Sequence, residues 1–182
     1  MEFIDLKAQY EALKKPINEA VLNVMQSTAF IMGPEVELFE QELAERVQVK
    51  HCISCANGTD ALVIALMAKD IGPGDAVFVP SFTFMSTAEC ASNVGATPIM
   101  CDVDLRTYNM DPASLEAAIE RVKAEGKLRP AAVIPVDLFG QLPQTVFHLQ
   151  IDHMHHMARP ARPDLGIDLS YRFKMKQLQL GF

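Results

Sequence analysis

The residues whose types and spacing are best suited to binding a ligand lie at 57–60, which reads Asn-Gly-Thr-Asp. The residues before them, Cys52–Cys55, are small or apolar and predict a short buried strand that includes Ile53. An apolar helical face begins just after them. We predict that Asn57 and Gly58 form the turn between strand and helix, because both residue types tolerate positive φ.

The start of this helix has the properties of a phosphate-binding corner. Thr59 or Asp60 is predicted to cap the helix, with Ala61 and Leu62 beginning its apolar face. The first N–H groups of a helix lack acceptors, and the helix dipole adds partial positive charge, so a phosphate is well held there. The alternative is a plain structural corner, because strand–glycine–helix connections are common in α/β proteins.

The four cysteines, Cys52, Cys55, Cys90 and Cys101, do not form a convincing metal site. Cys52 and Cys55 make a C-x-x-C pair, but a zinc knuckle needs a second pair of similar spacing. A redox dithiol remains an alternative, although its first cysteine usually opens a helix. We predict reduced, partly buried thiols.

Composition limits the function classes. The chain has 182 residues, 49% of them hydrophobic, which is typical of a globular protein with a sizeable core. Its net charge of −7 argues against nucleic acid or an anionic membrane as a partner. No run of 18 apolar residues and no signal peptide is found, so we expect a cytoplasmic protein.

Predicted strands and helices alternate after a helical beginning, which indicates a mainly parallel sheet with flanking helices. The predicted helices cover 2–27, 34–47, 59–69, 86–93 and 112–125, and the predicted strands cover 52–55, 76–80, 96–101 and 131–136. Ligands bind at the carboxyl ends of such strands, here followed by 57–60, 81–84, 102–104 and 137–141. Neither the G-x-G-x-x-G nor the G-x-x-x-x-G-K-[ST] nucleotide motif is present, so a phosphate at 58–60 would belong to another cofactor.

The character of the chain changes after Gln141. Residues 1–140 carry 11 Lys and Arg against 20 Asp and Glu, whereas residues 141–182 carry 5 against 3 and four of the five histidines. The histidines at 153–156 lack the supporting acids or cysteines of a metal site, so we predict none. We expect 1–141 to be an incomplete domain and 142–182 an unrelated tail of low structure, produced by a shift of reading frame near Gln141.

Several motifs, in order, resemble the DegT/StrS family of sugar aminotransferases, which use pyridoxal 5′-phosphate (PLP). They are E-F-I-D-L-K, F-I-M-G-P-E-V, C-I-S-C-A-N-G-T-D-A-L, G-P-G-D, P-S-F-T-F-M-S-T-A-E, T-Y-N-M-D-P and V-D-L-F-G-Q, within residues 1–141. The resemblance implies the N-terminal part of the large domain of a type I PLP-dependent aminotransferase fold, here truncated. It also implies a seven-stranded sheet of order 3-2-4-5-6-7-1, of which this chain supplies strands 1 to 4.

The resemblance also implies roles for particular residues. Gly58, Thr59 and Asp60 correspond to the turn that holds the PLP phosphate. Phe84 corresponds to the aromatic residue that stacks on the pyridine ring, with ordinary core as its alternative. Gln141 lies near the cofactor in relatives. The loop Met32-Gly33-Pro34 is similar to part of the substrate entrance, and a packed connector is the alternative reading.

Two parts of the family pattern are missing from the sequence. PLP chemistry needs a lysine that forms a Schiff base and an acid that keeps the pyridine nitrogen protonated. The family's E-D-A-A acid motif and its lysine motif are both absent, and Lys174 and Lys176 have no family context. Asp137 is on the wrong strand to be the pyridine acid. We therefore name no catalytic residue in this chain.

The activity implied by the resemblance is transfer of an amino group from an amino acid, glutamate in particular, to the keto group of a nucleotide-linked sugar. The nearest pattern is that of enzymes aminating the 3-keto position of a UDP-linked N-acetyl-hexuronic acid in polysaccharide synthesis. Family members are homodimers. The alternative is an inactive fragment that at most binds a ligand or a partner.

Overall fold

The computed structural model of the chain describes residues 4–140, which form five helices and three strands. In order these are α1 (Leu6–Ser27), α2 (Pro34–Val47), α3 (Gly58–Met67), β1 (Asp75–Pro80), α4 (Ser86–Asn93), β2 (Thr97–Cys101), α5 (Pro112–Glu125) and β3 (Arg129–Val133). These residues divide into two compact units, with the boundary between Ser54 and Cys55. Residues 142–182, including the predicted tail, lie outside the described residues.

The second unit is built on a parallel sheet of order β2-β1-β3. Phe78 at the centre of β1 pairs with Ile99 of β2 and with Val133 of β3. These strands are the second, third and fourth of the predicted series, so their order 3-2-4 is confirmed. All six residues of β1 are buried, as expected for a strand with a neighbour on each side and helices over both faces.

The side chains of β1 alternate between two apolar cores. Ala76 and Phe78 join a core on one face of the sheet that includes Leu115, Ala118 and other residues of α5. Val77 and Val79 join a core on the opposite face with α3 and α4. The second unit is therefore a three-layer α/β structure, which confirms the predicted class of a mainly parallel sheet with flanking helices.

The first unit contains α1 and α2. The N-terminal end of α1 is capped by Asp5, whose Oδ1 accepts a 2.8 Å hydrogen bond from the N–H of Ala8. No residue of α1 is buried. Helix α2 has the predicted bounds, with Pro34 at its first position and Glu35 in its first turn, where the helix dipole favours an acid.

The predicted strand at Cys52–Cys55 is wrong, because these residues are irregular in the structure. Ile53, expected to be buried, is 81% exposed. In the implied strand order this strand pairs only with the seventh, and no such strand exists among residues 4–140. The backbone is instead anchored by a side chain, since Glu40 Oε1 accepts hydrogen bonds from Ser54 N at 2.7 Å and Ser54 Oγ at 2.8 Å.

Smaller differences lie at element ends. Strand β3 begins at Arg129 and not at Ala131, and its pairing with β1 is irregular between Ala76 and Val77. Helix α5 has the predicted bounds, and Asp111 caps it as predicted by accepting a 3.0 Å hydrogen bond from Ala113 N.

Candidate functional site

The corner before α3 differs in detail from its prediction. Asn57, and neither Thr59 nor Asp60, is the N-cap, and its Oδ1 accepts a 2.9 Å hydrogen bond from Asp60 N. Its Nδ2 in turn donates to Asp60 Oδ2 at 3.1 Å. The predicted turn at Asn57 and Gly58 uses no positive φ, because Asn57 is extended and Gly58 is already the first helical residue. An extended N-cap followed directly by the helix needs no left-handed residue.

This corner meets the requirements of a phosphate site. Among the described residues, the N–H groups of Gly58 and Thr59 have no hydrogen-bond acceptor. A Cβ placed on Gly58 would meet no atom within 4 Å, so the space beside the helix start is open. Two free N–H donors at the positive end of a ten-residue helix can hold an anion.

The loop between β1 and α4 presents Phe84. Ser81 N donates a 2.7 Å hydrogen bond to Cys101 O, which continues the ladder just beyond β1. Phe84 O accepts from Thr87 N at 3.1 Å at the beginning of α4, and the Phe84 ring is 74% exposed. The alternative of an ordinary core phenylalanine is therefore wrong. A largely exposed aromatic ring at a strand end is suited to stacking on a flat ligand.

The phosphate corner and the Phe84 loop belong to the same layer of the second unit. Helix α3, which starts at the corner, and helix α4, which follows the loop, are in contact and share one apolar core. Leu66 of α3 and Cys90 of α4 are both buried in that core.

An aromatic cluster that the sequence analysis did not identify lies among the loops that follow the strands. The Tyr108 ring centroid is 5.3 Å from that of Phe82 and 5.3 Å from that of Phe139. Phe82 follows β1, Tyr108 follows β2 and Phe139 follows β3. Each residue lies within a motif quoted above, but contacts between separate loops leave no periodic signal in the sequence.

Asp137 also lies at this end of β3. Its Oδ1 is buried and has no hydrogen-bond partner within residues 4–140, and desolvation raises the pKa of its carboxyl above the ordinary value. A carboxyl in this setting favours its neutral, protonated form.

The loop expected at a substrate entrance lies in the first unit. Met32 has φ of +49° and is 65% exposed, and Pro34 begins α2. Gly33 is buried, and a Cβ on it would lie 2.4 Å from Ala29 O, so only glycine fits there without a shift of the backbone. Gln141, the remaining predicted site residue, lies outside the described residues.

The first unit also contains a cavity of about 230 Å³ lined by Glu37, Glu40, Gln41, Ala44, Lys50, His51 and Cys52. Hydrogen bonds from Ser54 hold the pKa of the Glu40 carboxyl below its ordinary value. Since Glu40 anchors Ser54, we assign this cavity a structural role.

Within residues 4–140, no group of three or more potential ligands could hold a metal ion, and no helix is long and apolar enough to cross a membrane. All four cysteines are free thiols, as predicted, but Cys55 is exposed whereas Cys90 and Cys101 are buried.

Comparison with known proteins gives one consistent result. The model of the DegT/DnrJ/EryC1/StrS aminotransferase family matches residues 11–158. The chain is 49% identical over 141 residues to UDP-2-acetamido-2-deoxy-3-oxo-D-glucuronate aminotransferase of Pseudomonas aeruginosa, covering 78% of this chain and 37% of the relative. It is 44% identical over 137 residues to UDP-N-acetyl-3-dehydro-alpha-D-glucosamine 3-aminotransferase of Acidithiobacillus ferrooxidans, covering 75% and 35%.

Comparison with solved structures identifies the same family. An aminotransferase of this family from Brucella abortus superposes with a TM-score of 0.77 at 48% identity, over 87% of this chain and 42% of that one. NtdA of Bacillus subtilis, solved with bound cofactor PMP, has a TM-score of 0.65 at 28% identity, over 79% and 30%. The chain thus spans between 30% and 42% of the length of these proteins.

Proposed function

Because this chain belongs to the DegT/DnrJ/EryC1/StrS aminotransferase family, we propose that it corresponds to the N-terminal part of a PLP-dependent sugar aminotransferase. The proposed parent reaction transfers an amino group from an amino acid, with glutamate as donor, to a keto group on a nucleotide-linked sugar. The relatives from P. aeruginosa and A. ferrooxidans are named for 3-oxo and 3-dehydro UDP-sugars, which supports a UDP-linked 3-keto-sugar as substrate.

The observation that carries the proposal is the corner at the start of α3. Gly58 and Thr59 offer two N–H groups without acceptors beside open space, which is the donor set a phosphate ester requires. Asp60 was also predicted at the phosphate, but its N–H is bonded to Asn57 Oδ1 and its carboxylate to Asn57 Nδ2, so Gly58 and Thr59 are the proposed donors. The residues present therefore fit the phosphate end of PLP.

When bound, PLP acts as an electron sink for the substrate carbon attached to nitrogen. The residues of this chain would bind and orient it. Gly58 and Thr59 would hold the phosphate, Phe84 would stack on the pyridine ring, and Gln141 would contribute near the cofactor. Met32, Gly33 and Pro34 border the entrance for the sugar nucleotide, and two copies of the parent enzyme associate as a dimer.

A second candidate follows from the missing motifs. The chain contains neither the acid motif nor the lysine motif that amino transfer requires in this family. We propose that the 182-residue chain, by itself, is a cofactor-binding fragment that does not complete amino transfer.

The phosphate corner is tested by titrating the chain with 4′-deoxypyridoxine 5′-phosphate, which has no aldehyde and so cannot react with surface lysines. The variant pair is Gly58→Glu and Gly58→Gln. Both side chains enter open space, and a negative charge at a helix start is favourable for folding, so neither variant should lose stability. Only Gly58→Glu repels the phosphate.

We expect calorimetry to detect binding to the wild type and to Gly58→Gln, and a loss of at least about tenfold in affinity in Gly58→Glu. Wild-type affinity in both variants would show that the phosphate lies elsewhere. Separately, borohydride reduction after mixing with PLP should give no specific adduct on Lys174 or Lys176. A specific adduct on either lysine, with turnover of a keto-sugar, would contradict the fragment proposal.

A further inference from the structure

The loop between β2 and α5 is held in place by several hydrogen bonds within the loop. Asp104 accepts hydrogen bonds at Oδ1 from the N–H groups of Arg106 and Thr107, at 3.0 and 2.9 Å, and these bonds lower the pKa of its carboxyl. Val103 and Met110 form an antiparallel bridge across the loop. Asp102 at its base accepts a 2.9 Å hydrogen bond from Asp111 N.

Tyr108 lies at the tip of this loop in a strained conformation. Its φ is +59°, a value that is uncommon for a bulky residue. Two hydrogen bonds fix it there, from Tyr108 N to Asp104 O at 2.8 Å and from Asp104 N to Asn109 O at 2.9 Å. Strain of this kind persists only where the surroundings impose it, and it concentrates at functional sites.

The consequence of this conformation is the placement of the Tyr108 ring. The ring contacts Phe82 at an interplanar angle of 40° and Phe139 at 73°, both with centroids 5.3 Å apart. These tilted and edge-to-face arrangements are the favourable ones for aromatic pairs. The ring therefore connects the loops that follow β1 and β3, which are separate in sequence.

Phe82 is two residues from Phe84, and Phe139 is two residues from Gln141. The Phe84 loop has a second attachment on its other side, where the hydroxyls of Thr83 and Thr87 lie 3.2 Å apart. Phe84 itself is 74% exposed, so its ring has little packing of its own to fix its plane. The orientation of the Phe84 ring must therefore be set by the contacts of the neighbouring residues Phe82 and Thr83.

We propose that Tyr108 is a positioning residue for the cofactor site, holding the Phe84 loop through its ring contact with Phe82. This inference rests on the proposed function, because it assumes that Phe84 stacks on a pyridine ring. Tyr108 itself does not touch the ligand. Its effect is to restrict the loop to the conformation in which the Phe84 face is available.

The test uses the 182-residue chain and two substitutions at one position. Tyr108→Phe keeps the ring and its contacts. Tyr108→Asn removes the ring but tolerates positive φ, so the backbone of the loop is preserved. Hydrogen exchange is measured at Thr87 and Ala88, whose N–H groups donate to the carbonyls of Phe84 and Met85. Helix α5 is the internal reference for global opening.

We expect Tyr108→Asn to speed exchange at Thr87 and Ala88 by roughly three- to tenfold, the size of one aromatic contact, without changing α5. Tyr108→Phe should match the wild type. Affinity for 4′-deoxypyridoxine 5′-phosphate should fall by a similar factor in Tyr108→Asn only. If Tyr108→Asn leaves exchange at Thr87 unchanged, or speeds it equally in α5, the positioning role is refuted.

The two proposals fail separately. If the wild type does not bind the phosphate analogue, the proposal that this chain is a cofactor-binding fragment is wrong, while local exchange still decides whether Tyr108 holds the loop. If the wild type binds and both Tyr108 variants bind equally well, the cofactor site stands and the positioning role is refuted.

Discussion

Arg129 Nε donates a 2.8 Å hydrogen bond to Oδ1 of Asp75, and this ion pair joins the first residue of β3 to the first residue of β1. The Asp75 side chain is 6% exposed and that of Arg129 is 35% exposed. Asp75 Oδ2 also accepts from Gly72 N at 3.0 Å. This ion pair thus fixes the pairing of β1 with β3 directly before the irregularity between Ala76 and Val77.

Replacing Arg129 with Met should destabilise the second unit, because it removes a partner of a buried carboxylate. Allowing for the partial exposure of Arg129, we expect a loss of about 1–3 kcal/mol in the free energy of unfolding. Urea denaturation measures this loss. The control is Arg106→Met, since the 3.9 Å contact of Arg106 with Asp104 is exposed and should contribute little. Equal effects of the two substitutions would contradict a structural role for the Asp75 pair.

Replacing Asn57 with Ala should weaken the start of α3. The substitution removes the acceptor of the Asp60 N–H and the donor to the Asp60 carboxylate, at a cost of about 1 kcal/mol. Asn57→Ser retains an acceptor and should recover most of the loss. Thermal unfolding followed by circular dichroism checks both variants, and an Asn57→Ala midpoint equal to that of the wild type would show that another residue caps the helix.

Replacing Gly33 with Ala should disturb the loop before α2. The new Cβ would lie 2.4 Å from Ala29 O, a backbone atom that cannot move without moving the loop. The matched substitution is Gly58→Ala, whose Cβ meets nothing within 4 Å. We expect faster limited proteolysis near residues 28–33 in Gly33→Ala only. Unchanged cleavage would mean that the loop adjusts freely.

Asp137 gives a prediction about pH. Its pKa is raised in the folded state by desolvation, so its contribution to stability is present at low pH and is lost as pH rises through the raised pKa. Asp137→Asn stays neutral and should therefore gain stability relative to the wild type as pH rises from about 4 to about 7. Urea midpoints across this range test the trend, with Glu116→Gln on the exposed face of α5 as control. A constant difference between Asp137→Asn and wild type would contradict the raised pKa.

The thiols should separate into two classes. Burial raises the pKa of Cys101 to about 11 and also raises that of Cys90, so both should resist alkylation in the folded chain. Cys55 is exposed and Cys52 partly exposed, and these two should react with iodoacetamide first. Mass spectrometry of labelled peptides distinguishes the classes. Early labelling of Cys101 would mean that the β2 end of the sheet is open in solution.

Local signals in the sequence predicted both the first and the last residue of some elements. Pro34 and Pro112 mark first helical positions, and α2 and α5 have the predicted bounds. The alternation of strands with helices and the strand order were also predicted, the latter by resemblance. The predicted strand at Cys52–Cys55 is wrong because a strand forms only where it can pair with a neighbouring strand. The Tyr108 cluster was not predicted because it joins three loops that no local sequence pattern connects.

The cap of α3 was assigned to the wrong residue for a related reason. Asn57, Thr59 and Asp60 are all good capping types, and the backbone conformation decides among them. Only the extended conformation of Asn57, followed by a helical Gly58, identifies the residue at which the helix begins.

The division of the apolar interior by the sheet also governs how substitutions should combine. Leu115 belongs to one core and Leu66 to the other, and the strands of the sheet separate them. Losses caused by Leu115→Ala and Leu66→Ala should therefore add. A descendant of this sequence could then accumulate changes in the core beneath α5 without disturbing the core that α3 and α4 share. The proposed phosphate corner begins α3 and the Phe84 loop leads into α4, so drift on one face of the sheet would leave the packing of both helices intact.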